Sequence, residues 1–197
     1  MTDTIQFYDE HAAGYFDQTV GIDMSELRRR FLDRLPDGAM ILDAGCGSGR
    51  DARAFLDAGY EVVAIDASRG MAEQARERLA VEVEVMRFEE MSFREEFDGV
   101  WACASLLHIP TRDLPGVLEK MEMALKPGGT LYLSFKRGER EEDRMGRRFQ
   151  DMTRQGLIEL LGGFDRMNLV EIWEGKDARN DPSEDHPTWV NGLFSRS

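Results

Sequence analysis

Two rhythms of apolar and polar positions run along the chain. Between residues 5 and 35 the apolar positions recur at helical spacing. Tyr8, Tyr15 and Phe16 are followed by Met24, Leu27, Phe31, Leu32 and Leu35, which predicts two helices broken near Gly21. Pro36-Asp37-Gly38 then makes a turn. From there the beat changes to short apolar runs alternating with amphipathic stretches. Met40-Ile41-Leu42 enters a glycine cluster, residues 50–58 read as a helix closed by Gly59, and Glu61 to Ile65 is a strand. Ser68 caps a helix that runs through Leu79, and Val81 to Val85 alternates as a half-solvated strand does.

The second half keeps the beat. Phe97 to Cys103 reads as a buried strand, and residues 111–125 as an amphipathic helix stopped by Pro127-Gly128-Gly129. Thr130 to Phe135 is β-rich, and residues 153–161 look helical. Residues 168–174 and 188–194 read as two late strands around an exposed loop from Asn180 to Pro187. Alternating strands and helices imply an α/β fold, a mostly parallel sheet with helices on both faces. The two late strands lack a long helix between them and fit an antiparallel hairpin at the sheet edge. Ligands of such sheets bind at the carboxyl ends of the strands, where the strand order reverses.

Composition narrows the picture. A chain of 197 residues with 42% hydrophobic and 32% charged residues is globular, and its length fits one domain over 1–197. Lys and Arg number 25 against 38 Asp and Glu, a net charge of −13. That excess of acid argues against a nucleic-acid partner, which needs clustered cations, and against docking on an anionic membrane. No apolar run approaches the ~18 residues of a spanning helix. The opening Met1-Thr2-Asp3-Thr4 lacks the basic start and apolar core of a signal peptide, so a cytoplasmic location is expected. Cys46 and Cys103 fit buried thiols better than a disulfide, and the few His and Cys residues show no metal-ligand spacing.

Chemistry concentrates in Ile41-Leu42-Asp43-Ala44-Gly45-Cys46-Gly47-Ser48-Gly49-Arg50. Glycines at 45, 47 and 49 let the backbone turn tightly against a ligand. A dinucleotide fingerprint needs a further glycine where Arg50 stands. Asp43, just before the loop, would repel a pyrophosphate and suits an ammonium group. Asp66 ends the next strand, the place for a carboxylate that accepts ribose hydroxyls. A ligand with a ribose and a cationic amine but no phosphate is S-adenosylmethionine. A nicotinamide-dependent oxidoreductase, the rival enzyme class, is opposed by Asp43 and Arg50. A non-catalytic cofactor-binding protein remains the rival from another class.

These residues resemble the motifs of the class I S-adenosylmethionine-dependent methyltransferases. Asp43 to Gly49 is similar to that family's first motif and Val63 to Ser68 to its second. Phe97 to Ala102 and Leu125 to Leu131 look like its fourth strand and the turn and strand after it, and Tyr8 to Tyr15 like its N-terminal cover helix. The resemblance implies a seven-stranded Rossmann-like sheet with an antiparallel last strand, cover helices over 1–35, and an acceptor-site lid over 136–165. It implies a methyl donor held by Tyr15, Asp43, Gly45, Gly47, Gly49, Arg50, Asp66 and Ala67. Met71, Phe88, Glu89 and Glu90 would edge the adenine, and Ala104 and Ser105 would pass the methionyl part.

Methyl transfer from a sulfonium mainly needs alignment and exclusion of water. His108, just past the fourth strand, is the candidate base, and Tyr8, Lys136, Arg179 and Trp189 are candidate acceptor contacts. Asn-Pro-Pro-Tyr and Pro-Cys motifs of nucleobase methylation are absent, so a small-molecule O, N or S acceptor is expected. The dense charges from Lys136 to Arg148 fit a solvated helix laced with ion pairs, or an anion-contacting lid.

Overall fold

The computed structural model describes residues 4–178 and 188–197. Two helices, α1 (Thr4–Thr19) and α2 (Ser25–Leu32), precede the first strand, β1 (Met40–Ala44). The chain continues through α3 (Arg50–Asp57), β2 (Glu61–Asp66), α4 (Arg69–Leu79), β3 (Val83–Val85), β4 (Phe97–Ala102), α5 (Leu114–Ala124) and β5 (Leu125–Lys136). Then come β6 (Glu141–Arg144), β7 (Arg147–Gln150), α6 (Arg154–Leu161), β8 (Met167–Lys176) and β9 (Thr188–Arg196).

Seven strands form one sheet in the order β3-β2-β1-β4-β5-β9-β8. Strands β1 to β5 pair in parallel, and β9 runs antiparallel to both β5 and β8. The order reverses between β1 and β4, so the carboxyl ends of these two strands diverge into a crevice.

The period of two along each strand divides the core. Leu42, Val100, Leu131 and Leu133 face Leu114, Leu118 and Met121 of α5. Ile41, Trp101, Tyr132 and Leu193 face the other way, onto Phe31 of α2 and Phe55 of α3. Trp101 stacks on Tyr132 with centroids 4.0 Å apart. Its indole N–H donates to Asp51 at 3.2 Å, so this large buried ring leaves no donor unpaired. Helix α1 lies over α4: Asp9 accepts from the Ser68 hydroxyl at 2.6 Å and the Gly70 N–H at 2.9 Å.

Four expectations change. The charged segment after β5 is a two-stranded hairpin, β6–β7, rather than a solvated helix. Met145 and Gly146 join its strands with φ of 48° and 80°, the mirror-image turn that matches strand twist and that glycine tolerates without cost. Ion pairs across and along the strands replace helical ones: Arg148 pairs across with Glu141 and Asp143, and Arg144 pairs along β6 with Glu142. The strand expected from Val81 forms only over Val83–Val85, and the helix expected from residue 111 begins at Leu114 behind Pro110. Cys46 and Cys103 are free thiols, but they lie half-buried at strand ends rather than inside the core. Arg179 and the expected 180–187 loop fall outside the described residues.

Candidate active site

A cavity of about 1340 Å³ opens at the carboxyl edge of the sheet. One end of it is built from the loops after β1 and β2. Gly45 and Cys46 N–H groups both donate to the Ile65 carbonyl, at 2.9 and 3.0 Å, which folds the glycine loop back on β2. Gly45 has φ 79°, and a Cβ there would sit 2.5 Å from Ser105 Cβ, so the position needs glycine twice over. Asp66 receives the Gly47 N–H at 2.8 Å on one oxygen and the Ser68 N–H at 2.8 Å on the other. An ionised carboxylate has about four acceptor sites, so two stay open.

Asp43 is the unusual group. It is 2% exposed, and its Oδ2 is buried with no hydrogen-bond partner among the described residues. Burial pushes its carboxyl well above the ordinary range, and the neighbouring Asp51 charge adds to the push. The nearest cations are committed elsewhere. Arg50 pairs with Asp51 at 2.6 Å and Arg28 with the same carboxylate at 2.7 Å. Asp51 therefore collects two guanidiniums and the Trp101 indole, and its carboxyl lies below the ordinary value although burial opposes this.

The far end of the cavity is different in kind. Tyr8 and Tyr15 from α1, His108, Lys136, Phe149, Trp173 and Trp189 line it. His108 Nδ1 lies 2.6 Å from the Arg148 carbonyl and Nε2 lies 2.8 Å from the Tyr8 hydroxyl. A carbonyl only accepts, so Nδ1 carries the proton and Tyr8 donates to Nε2. Burial holds the His108 pKa at about 4, against the Arg148 hydrogen bond, and the Arg147 and Lys136 charges also lower it. Burial pushes the Tyr8 phenol up, opposed by the hydrogen bond from Arg147 at 3.3 Å.

Most of the residues singled out in the sequence meet here. Tyr8, Tyr15, Asp43, Gly45, Gly47, Arg50, Asp66, Ala67, Met71, Phe88, Glu89, Ala104, Ser105, His108, Lys136 and Trp189 all line the cavity. Two expected members stand apart. Gly49 caps α3, and a Cβ there would meet Ala75 of α4 at 2.9 Å, so it serves helix packing. Glu90 turns its carboxylate onto the Arg87 N–H at 2.8 Å, leaving Glu89 at the rim. Sequence reasoning missed Asp51 and Tyr132, and it did not single out Arg147, within the charged run, or Phe149. The last two ride on the unexpected hairpin, and Asp51 stands in the first turn of α3, where an acid is ordinary.

Residues 41–129 match a family described as "Methyltransferase domain". Methyltransferase GfsG of Streptomyces halstedii is 30% identical over 145 residues, covering 65% of this chain and 51% of that protein. An Arabidopsis thaliana tRNA (carboxymethyluridine(34)-5-O)-methyltransferase is 27% identical over 161 residues, covering 77% of this chain and 36% of that one. The chain thus spans about half the length, or less, of these curated relatives. Among solved structures, Burkholderia thailandensis 1,6-didemethyltoxoflavin-N1-methyltransferase, with 1,6-didemethyltoxoflavin and S-adenosylhomocysteine bound, superposes with a TM-score of 0.77 at 20% identity. That match covers 98% of this chain and 87% of that one. The sheet order and the glycine loop define a Rossmann-like methyltransferase fold. The stretch from β1 into β5 is thus similar to a methyltransferase domain, on a fold shared with solved methyltransferase structures.

Proposed function

We propose that this protein transfers a methyl group from S-adenosylmethionine to a small-molecule O, N or S acceptor by in-line displacement. One observation carries the reading: the unpartnered, buried Asp43 oxygen beside a glycine loop whose next strand ends in Asp66. A buried acceptor without a donor is costly, and an ammonium supplies both the proton and the charge it lacks. Asp43 holds the amino group of the donor, and the two open acceptor sites of Asp66 take the ribose diol. Met71, Phe88 and Glu89 edge the adenine. When bound, the donor supplies an electrophilic methyl on a sulfonium with a good leaving group.

The chain's own part is alignment and dryness. Tyr8 and Tyr15 of α1 cover the cavity, and Ser105, fixed by its 2.7 Å hydrogen bond to the Ala44 carbonyl, sets the wall between the two ends. Where the acceptor must lose a proton, Tyr8 takes it while passing its own to His108 Nε2. His108 is a weak base at rest, so this relay works only as the nucleophile grows acidic during transfer. We read residues 1–197 as one domain, with 1–35 as cover and 136–165 as the acceptor wall. The two free thiols accord with a cytoplasmic setting. The acidic balance favours a small acceptor over RNA.

The test incubates the protein with donor and either a metabolite extract or a purified tRNA fraction, followed by mass spectrometry. A +CH2 small molecule that needs both protein and donor is expected. A methylated nucleoside in the tRNA arm replaces the small-molecule reading. Donor binding with no product in either arm leaves a binding protein.

A further inference from the structure

Three of the arginines on the β6–β7 hairpin and its turn sit in unlike surroundings. Arg144 is paired with Glu142 and Asp151, each at 2.6 Å, and Arg148 with Glu141 and Asp143. Arg147 lines the cavity, yet among the described residues no carboxylate comes within 4.0 Å of it. Its guanidinium lies against the rings of Phe7, Phe149 and Tyr8, at 4.6, 5.1 and 5.7 Å from their centroids. Among the described residues its one side-chain hydrogen bond goes to the Tyr8 hydroxyl at 3.3 Å, and its buried Nε has no partner. Stacking on rings satisfies part of the charge but none of the remaining N–H donors. In a chain with 38 acidic and 25 basic residues, an arginine on a cavity wall with no carboxylate beside it among the described residues is a specific arrangement. Lys136 adds a second cation at the same place, its Nζ 4.8 Å from the Phe149 ring centroid.

We propose that Arg147 anchors an oxyacid group, carboxylate or phosphate, on a flat aromatic acceptor, which makes the substrate class of this cavity an aromatic acid. The inference rests on the methyltransferase reading and narrows it. The guanidinium fork matches a planar oxyanion, and the rings that hold it give an aromatic body a face to lie on. The two ends of the cavity then sort their ligands by charge: Asp43 and Asp66 draw the cationic donor, and Arg147 with Lys136 draws the anionic acceptor. The mirror-image turn at Met145-Gly146 holds the anchor. Phe7 packs on Gly146, where a Cβ would come within 3.0 Å of the ring, so the hairpin is keyed to α1 just beside Arg147.

The experiment uses the full chain saturated with S-adenosylhomocysteine and titrates it by calorimetry with benzoate, phenyl phosphate and benzamide. The proposal expects at least one acid to bind roughly 10- to 100-fold more tightly than benzamide, as a charge-assisted bidentate contact provides. Arg147→Met abolishes that preference while S-adenosylhomocysteine affinity stays unchanged, and Arg147→Lys restores part of it. Preference for benzoate identifies a carboxylate, and preference for phenyl phosphate identifies a phosphate. Equal binding of benzamide, a preference that survives Arg147→Met, or no binding of either acid overturns the proposal. A merely structural Arg147 would shift the acids and benzamide alike. Failure to saturate the protein with S-adenosylhomocysteine is a separate result, which strikes the methyltransferase reading itself.

Discussion

The two ends of the cavity are built by opposite routes. The end proposed for the donor is made by neighbours in sequence: Asp43, Gly45, Gly47 and Arg50 span the turn from β1 into α3, and Asp66 and Ser68 the turn from β2 into α4. Backbone N–H groups do much of its work, closing the loop on Ile65 and Asp66. The far end gathers Tyr8, His108, Lys136, Phe149, Trp173 and Trp189 from six separate segments. Side-chain contacts hold it, chiefly the line from the Arg148 carbonyl through His108 to Tyr8 and Arg147. A site made of backbone tolerates little change in the few residues that shape it. A site made of side chains from distant segments can be retuned piece by piece while the fold stands, which is why fold alone does not define an acceptor.

The strongest way to break this contrast is Asp43→Asn. Removing the charge proposed to face the donor's ammonium is expected to weaken donor binding by about 2–5 kcal/mol, as for one partner of a buried charge pair. The same change is expected to raise the melting temperature. The folded Asp43 carboxyl is pushed above its unfolded value, so the native state holds its proton longer. Stability is therefore lost as pH rises from the unfolded value, ~3.9, towards the raised folded one, and the amide removes that loss at neutral pH. Donor affinity of the unsubstituted protein should rise with pH as Asp43 ionises, and the variant should flatten that slope. Calorimetry across pH and thermal melts read both; a variant that loses stability and keeps donor affinity places Asp43 outside the donor site.

Next in size is Asp66→Ala, expected to cost about 1.5–3 kcal/mol of donor affinity through the ribose contacts. Unaltered affinity in a folded variant removes Asp66 from that role. At the other end, Tyr8→Phe deletes the hydroxyl between His108 and Arg147. It should lower turnover roughly 10-fold, less than the usual range for a positioned base because His108 is so weak a one. Donor affinity should hold, and a loss of donor binding equal to the loss of turnover would show that the two ends are not separable. The smallest effect belongs to Met145→Asn on the hairpin turn. Asparagine suits φ of 48° better than methionine, and a gain of about 0.5 kcal/mol in thermal stability is expected. A loss of stability there would argue that the methionine side chain itself holds the hairpin.

Legibility followed the same division. The strands from β1 to β5 and the helices α3, α4 and α6 could be read because periodicity and caps are local, as with Ser68 accepting the Met71 N–H at 3.1 Å. Asp43, Gly45 and Asp66 could be read because a strand end, a tight turn and a following strand leave their mark within a short span. The hairpin could not. Glu141 to Gln150 lacks apolar alternation on its first strand, and its Met-Gly turn lacks the usual Asn-Gly or Asp-Gly signal. Glu89 and Glu90 were equal in sequence, and only the short helical turn at Phe88–Glu90, which aims Glu90 at its own backbone, tells them apart.

What the order of residues alone determined was the parallel sheet, its glycine loop and the two acids beside it, since each depends on contacts between near neighbours. What tertiary structure decided was which charges lack partners. Asp51 draws Arg28 and Arg50 away from Asp43, and the hairpin pairs Arg144 and Arg148 while leaving Arg147 to the aromatic rings. Whether a charge is satisfied depends on every group that folding brings within a few ångströms, and most of those groups are remote along the chain.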